Sequence, residues 1–341
     1  MSSTAAPSAT IIAAHNLTKS YKGQLAVRGI DLDIREGEIF GILGPNGAGK
    51  TTTLEMIEGL RDPDSGTITV DGIDAVAHND DVRRIIGVQL QTTALFPFLT
   101  AGELIELFGS FYDVPNPRDQ VDRLLKLVGL EEKRGARVDE ISGGQQQRLS
   151  IALALVNQPR VTFLDEPTTG LDPRARRNLW DTIMGVRDAG TTVVLTTHYM
   201  EEAEVLCDRI AVMDSGRIIA CDTPSGLIRM LDLDAVVSGT LAPEEGREAL
   251  SLTEAELAAL PAVVHATLDP GEQHRVTLRS RDVQATIVGF LELAASHRLR
   301  INDLASTRAS LEDVFLQLTG REFASEDDAS DADDADPEQR S

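Results

Sequence analysis

The 341-residue chain carries 55 acidic against 32 basic side chains, a net charge of −23, with 42% hydrophobic and only 4% aromatic residues. That composition supports a sizeable core in one large and one smaller domain, and argues against a general nucleic-acid binder or a stacking platform for single strands. No stretch approaches the roughly 20 apolar residues that span a bilayer, and the amino terminus lacks the basic and apolar regions of a signal peptide.

Residues 1 to about 10 are small and polar and are expected to be disordered. From residue 11 to about 232, β-type runs alternate with helical patterns, which predicts an α/β fold. Residues 38–43 read as a short strand and 52–60 as a helix closed by Gly59. The stretch from about 92 to 160 differs. It is mostly helical, with Leu149, Ala152, Leu153 and Val156 on one helical face and Pro159 as its stop, and reads as a subdomain inserted between strands. Residues 161–164 and 191–197 are apolar, β-branched runs typical of buried parallel strands. Residues 210–220 hold two β-rich runs around Asp214-Ser215-Gly216, a hairpin signal.

A second unit, about 233–320, reads as a small α+β domain without site chemistry. Residues 276–278 suggest a strand, Val283, Ile287, Phe290, Leu291 and Ala294 an amphipathic helical face, and 311–318 a closing helix. Residues 321–341 hold nine acids and two bases and are expected to be a disordered acidic tail. Cys207 and Cys221 stand outside any metal-ligand spacing and read as reduced thiols.

Three motifs carry chemistry. Gly44-Pro45-Asn46-Gly47-Ala48-Gly49-Lys50-Thr51 matches G-x-x-x-x-G-K-[ST], after a strand and before a helix. Glycines let several backbone N–H groups turn toward one phosphate chain, and the helix N-terminus adds about half a positive charge. Lys50 is expected to reach the β- and γ-phosphates and the Thr51 hydroxyl a Mg2+ ion, with Thr52 completing the cradle. A chance glycine-rich turn would not combine strand, Lys-Thr and helix.

Val161-Thr162-Phe163-Leu164-Asp165-Glu166 reads as a buried strand ending in two acids. Asp165 can hold Mg2+ through water at the sheet edge that carries the phosphate loop. Glu166 is placed to orient, or take a proton from, an attacking water. Alone the pair would read as a polar strand cap; behind a phosphate loop it reads as a hydrolytic site. Ser142-Gly143-Gly144-Gln145-Gln146 opens the helix that runs through Val156. Its exposed amides offer a second anion site, and an ordinary serine cap is the competing reading.

The order of these motifs resembles the ATP-binding cassette (ABC) family, whose LSGGQ signature here has Ile141 in place of leucine. The resemblance covers about residues 11–232 and implies a P-loop NTPase cassette with an inserted helical subdomain, using ATP and Mg2+. It also implies roles for other residues: Tyr21 stacking on adenine, Gln91 contacting Mg2+ and water while sensing a membrane partner, Asp172 in the D-loop, and His198 contacting the γ-phosphate. Gln89 is the alternative to Gln91, and the Leu95-Phe96-Pro97 run favours Gln91. Family logic further implies an ATP sandwich, in which the signature of one copy covers the phosphate loop of a second copy. A separate multi-spanning permease, with this chain peripheral on the cytoplasmic face of the membrane, completes the expected assembly.

Within the family, three stretches resemble bacterial drug-resistance ATPases of the daunorubicin-exporter type: the threonine run after Lys50, the stretch from Thr196 to Glu204 and the stretch from Ser310 to Gly320. Efflux of a drug-like or lipophilic compound is therefore expected. ATPases serving lipids, polysaccharides or ions, or a soluble non-transport role, are the alternatives. Fewer than a hundred residues separate Lys50 from Ser142, which leaves no room for the long coiled coil of DNA-repair relatives. Phe96 and Phe98 are expected either to dock the permease or to fill the helical subdomain's core.

Overall fold

The computed structural model describes residues 9–89, 95–230, 235–243, 252–269, 274–308 and 310–320. The expectations for residues 1–8, for the acidic tail and for Gln91 lie outside the described residues. The chain divides into two compact units, one holding the described residues up to Pro224 and the other beginning at Ser225.

In the first unit, β1 (Thr10–Tyr21) and β2 (Gln24–Arg35) form an antiparallel hairpin turned at Lys22 and Gly23, both at positive φ. β3 (Ile39–Leu43) follows, and α1 (Lys50–Ile57) rises from its carboxyl end. β4 (Ser65–Val70) and β5 (Ile73–Asp74) join the hairpin in a four-stranded antiparallel sheet ordered β2-β1-β4-β5. α2 (Asn79–Ile85) leads to β6 (Ile86–Gln89). The helical stretch comprises α3 (Ala101–Phe111), α4 (Pro117–Leu127) and α5 (Gly143–Ala154). β7 (Val161–Asp165), α6 (Pro173–Asp188), β8 (Thr192–Thr197), α7 (Met200–Leu206), β9 (Arg209–Asp214) and β10 (Arg217–Asp222) complete the unit, and α8 (Pro224–Arg229) spans its border.

The second sheet runs β10-β9-β3-β8-β7-β6, parallel except for β10. Every residue of β3, β7 and β8 is buried, as expected of strands covered on both faces. Each large apolar side chain removed from water there contributes about 1.5–3 kcal/mol. Apolar residues of the antiparallel sheet, including Ile12, Leu17, Ile30 and Ile68, pack in one cluster with Phe40, Leu54, Phe163 and Val194. The cluster welds the hairpin sheet to the parallel one. The hairpin at Ser215 and Gly216, both at positive φ, joins β9 to β10 where the sequence placed it.

The sequence reading starts the first helix two residues late. Gly49, at φ 101°, is already its N-cap, so Lys50 and Thr51 stand in the first turn. Gly59, at φ 68°, lies just past its end.

In the second unit, β11 (Ala235–Pro243), α9 (Glu254–Ala258), β12 (Val263–Leu268), β13 (Arg275–Ser280), α10 (Val283–Ser296), β14 (Leu299–Arg308) and α11 (Leu311–Thr319) build a sheet ordered β12-β13-β11-β14 with helices. Phe290 and Ala294 of α10 enter its core with Val237, Leu257 and Leu278. Leu291, expected on that face, is exposed, and Leu293 packs against the core instead. A helix turns 100° per residue, so the inward stripe passes through 290, 293 and 294 and excludes 291. Among the described residues no helix is long and apolar enough to cross a membrane.

Candidate active site

Strand register decides where the chemistry gathers. Leu43 pairs with Thr197, and Thr196 pairs with Asp165, so the carboxyl ends of β3, β8 and β7 stand side by side. Loops leaving these ends carry the phosphate loop, His198 and Glu166. Gly44 N–H donates to the Thr197 carbonyl at 3.3 Å, tying the loop's first residue to the strand that precedes His198. The loop needs glycine by close approach: a Cβ on Gly44 would lie 2.3 Å from the Met213 carbonyl oxygen, and one on Gly49 2.6 Å from that of Ala26.

Lys50 is buried, and its Nζ donates to the carbonyls of Gly44 at 2.8 Å and Pro45 at 3.3 Å. Its third partner is Glu166 Oε1 at 3.2 Å. The ammonium that would meet a phosphate is thus held by a carboxylate of the same chain. A cleft of about 460 Å3 opens above it, lined by Asn46, Gly47, Gly49, Lys50, Thr51, Thr52 and Glu166, with Tyr21 and Ala26 from the hairpin. Tyr21 is 37% exposed at the end of β1, and the Arg61 guanidinium stands 5.2 Å over its ring. The open ring face suits a flat aromatic ligand.

The two acids differ by environment. Asp165 Oδ1 accepts from the Thr196 hydroxyl and, at 3.4 Å, from the Thr51 hydroxyl. Burial pushes its carboxyl above the usual aspartate range. Glu166 has φ 45°, in the left-handed region that costs a non-glycine residue about 1–3 kcal/mol. A hydrogen bond at 3.0 Å between the Glu166 N–H and Thr196 Oγ1 fixes this turn. Its carboxylate lies 3.3 Å from His198 Nδ1 and accepts from the Thr169 hydroxyl at 3.4 Å. The His198 hydrogen bond first, and then the Lys50 charge, pull the Glu166 carboxyl down to about 2 against the opposing effect of burial.

Ser142 caps α5. Its hydroxyl accepts from Gln145 N–H at 3.4 Å, while Gln145 Oε1 accepts from Ser142 N–H at 3.0 Å. The serine cap is present and pins the helix end, and a Cβ on Gly143 would meet nothing within 4 Å. A Cβ on Gly144 would lie 3.0 Å from Ala175 Cβ on α6. Asp172 caps α6, accepting from the N–H groups of Arg174 and Ala175 at 2.9 Å. Ser142, Gly143, Gly144, Gln145 and Asp172 do not line the cleft that holds Lys50.

A family profile described as "ABC transporter" matches residues 27–169. The chain is 40% identical over 306 residues to the daunorubicin/doxorubicin resistance ATP-binding protein DrrA of Streptomyces peucetius, covering 89% of this chain and 91% of that protein. It is 35% identical to the linearmycin resistance ATP-binding protein LnrL of Bacillus subtilis, across 91% of this chain and 99% of the relative. The chain belongs to the ABC transporter ATP-binding family. Nod factor export ATP-binding protein I of Ralstonia nicotianae is 38% identical over 320 residues, 93% of this chain and 96% of that protein. Among solved structures, a dimeric ATP-binding cassette in a post-hydrolysis state bound to ADP and Pi aligns with TM-score 0.56 and 32% identity, covering 62% of this chain and 98% of the cassette. The cbiO1 protein of Clostridium perfringens, part of the complex cbiONQ, aligns with TM-score 0.60 and 30% identity, over 65% and 94% of the two chains.

In this ABC ATPase the fold is the P-loop cassette, and the chain binds and hydrolyses ATP. Several residues around the site escaped sequence reasoning. Thr196 serves both acids, Ala26 lines the cleft, and Glu58 and Glu202 are buried acids. Glu58 sits at the carboxyl end of α1, where burial first and the charge of Asp165 second raise its carboxyl to about 8. Its position directly after Met56 and Ile57 was the one available signal. Phe96 and Phe98 are exposed, and Arg137 stands 5.3 Å over the Phe98 ring.

Proposed function

We propose that this ABC ATPase powers export of a drug-like or lipophilic compound through a separate multi-spanning permease, from the cytoplasmic face of the membrane. The observation that carries the ATPase chemistry is the convergence of Lys50, Thr51, Asp165, Glu166 and His198 at three adjacent strand ends. Export is supported by the relatives, which are named for resistance to daunorubicin, doxorubicin and linearmycin and for Nod factor export. The exposed Phe96 and Phe98 support permease docking on the helical stretch.

The adenine is assigned to Tyr21 and the phosphates to the amides of residues 44–52 with Lys50. Thr51 and Asp165 suit Mg2+: two oxygen donors 3.4 Å apart form the hard ligand set that ion prefers, and Gln91 is the third candidate. When bound, the ion neutralises developing charge on the phosphates. On nucleotide entry, Lys50 exchanges the Glu166 carboxylate for phosphate oxygens. Glu166, released from the ammonium and steadied by His198, orients the attacking water and accepts its proton. The amides of Ser142, Gly143 and Gly144, with Gln145 and Asp172, belong to the face that covers the phosphates bound by a second copy. This division explains why they lie outside the cleft of their own chain.

Purification of the Glu166→Gln chain from membranes with Mg-ATP should recover a multi-spanning protein in stoichiometric amount. Recovery with ribosomes and no membrane protein would overturn the transport reading.

A further inference from the structure

Glu202 is fully buried on α7, four residues after His198, and the hydrolytic chemistry above makes no use of it. Its Oε1 accepts from Trp180 Nε1 on α6 at 3.3 Å. Arg176 of α6 is its nearby charge. Thr197 Oγ1 accepts from Tyr199 N–H at 2.9 Å. The Arg176 guanidinium stands 4.3 Å over the Tyr199 ring, whose centroid is 4.1 Å from that of His198. The turn at His198 is thus tied to α6 at Tyr199, through Arg176, and again one helical turn later at Glu202, through Trp180. That helix begins at Asp172, on the face assigned to a second copy.

We propose that Glu202 is a positioning residue that clamps α6 to the turn carrying His198, so that movement at Asp172 resets the imidazole beside Glu166. The proposal rests on reading Glu166 and His198 as the hydrolytic pair. An acid is costly at a fully desolvated position, and an apolar side chain of the same volume would fill the space more cheaply. Its retention fits the Trp180 N–H that it accepts and the Arg176 charge on the same helix. Trp180, the chain's single tryptophan, is built into the clamp and reports its state.

The test compares Glu202→Met, which keeps volume and removes the acceptors, with Glu202→Gln, which keeps a carbonyl for Trp180. Both are assayed as the full chain for Mg-ATP hydrolysis, nucleotide affinity and Trp180 emission with and without Mg-ATP. Misplaced catalytic groups lower turnover more than ground-state binding, so Glu202→Met should lose at least about tenfold in kcat with KM within about twofold. It should also lose the nucleotide-dependent emission change, while Glu202→Gln restores both to within about threefold of wild type. A folded Glu202→Met chain with wild-type kcat overturns the proposal, as does one whose emission responds as in wild type. If Glu202→Met fails to fold, Trp180→Phe supplies the turnover comparison: it keeps a smaller aromatic ring and loses the N–H, and an unchanged kcat there overturns the clamp. Should Glu166→Gln itself turn over normally, the underlying hydrolytic reading falls, a result distinct from failure of the clamp alone.

Discussion

Replacing Glu166 by glutamine separates two roles that the structure gives one carboxylate. It is the counter-ion of Lys50, at 3.2 Å, and the partner of His198, at 3.3 Å. The fall of its pKa from 4.5 to about 2 corresponds to about 3 kcal/mol of preference for the charged form. His198 supplies the larger part and Lys50 the next. A phosphate displacing the carboxylate gives up one hydrogen-bonded contact to Lys50, worth at least about 1 kcal/mol, or roughly fivefold in Kd. Glu166→Gln should therefore bind ATP about fivefold more tightly, while losing about 10²–10⁴ in kcat through loss of the base. Calorimetric titration with a non-hydrolysable analogue measures the first effect and single-turnover phosphate release the second. Size-exclusion chromatography with Mg-ATP should show a trapped dimer. Weaker ATP binding by the variant would refute the counter-ion argument, and unimpaired phosphate release would remove Glu166 as the base.

Lys50→Ala removes a charge-assisted contact worth about 1.5–3 kcal/mol, so the Kd for ATP should rise roughly ten- to hundredfold by titration, and an unchanged Kd would exclude Lys50 from phosphate binding. Gly49→Ala puts a Cβ 2.6 Å from the Ala26 carbonyl oxygen at a φ of 101°, and should cost about 1–3 kcal/mol in denaturant unfolding together with nucleotide affinity. The folded pKa of Glu58 is raised to about 8, so the folded chain holds a proton that the unfolded chain releases above about 4.5; stability then falls as pH rises between those values. In metal-free, nucleotide-free protein Glu58→Gln should flatten that slope and raise Tm at pH 8 more than at pH 5; parallel melting curves at both values would refute it. Phe98→Ala, at an exposed ring, should change stability by about 0.5 kcal/mol or less while reducing recovery of the permease from membranes.

What the sequence shows clearly is what backbone geometry imposes. A phosphate cradle needs glycine where a Cβ would strike Met213 or Ala26, and the lysine must follow at once in the first helical turn, so spacing alone exposes it. The acids at 165 and 166 end a fully buried strand, and their neighbours Thr196 and His198 come from the next strand over and the residue just past its end. That adjacency explains the missed role of Thr196: strand order is a long-range fact, invisible in local pattern. Glu58 and Glu202 were missed for a related reason. Glu58 lies about two helical turns after the phosphate-loop motif and Glu202 one turn after His198, and the burial of each is decided by which face the helix turns inward. The same uncertainty of phase put Leu291 on the core side of α10 in place of Leu293.

The lysine's resting partner has a further consequence for selectivity. A cradle that supplies its own anion sets a threshold for visitors. A lone inorganic phosphate must evict a carboxylate already fixed by folding, and gains little from the swap. A chain of three phosphates meets several amides at once and repays the eviction. The Lys50–Glu166 pair thereby favours long polyanions over small ones, before any base or sugar is touched.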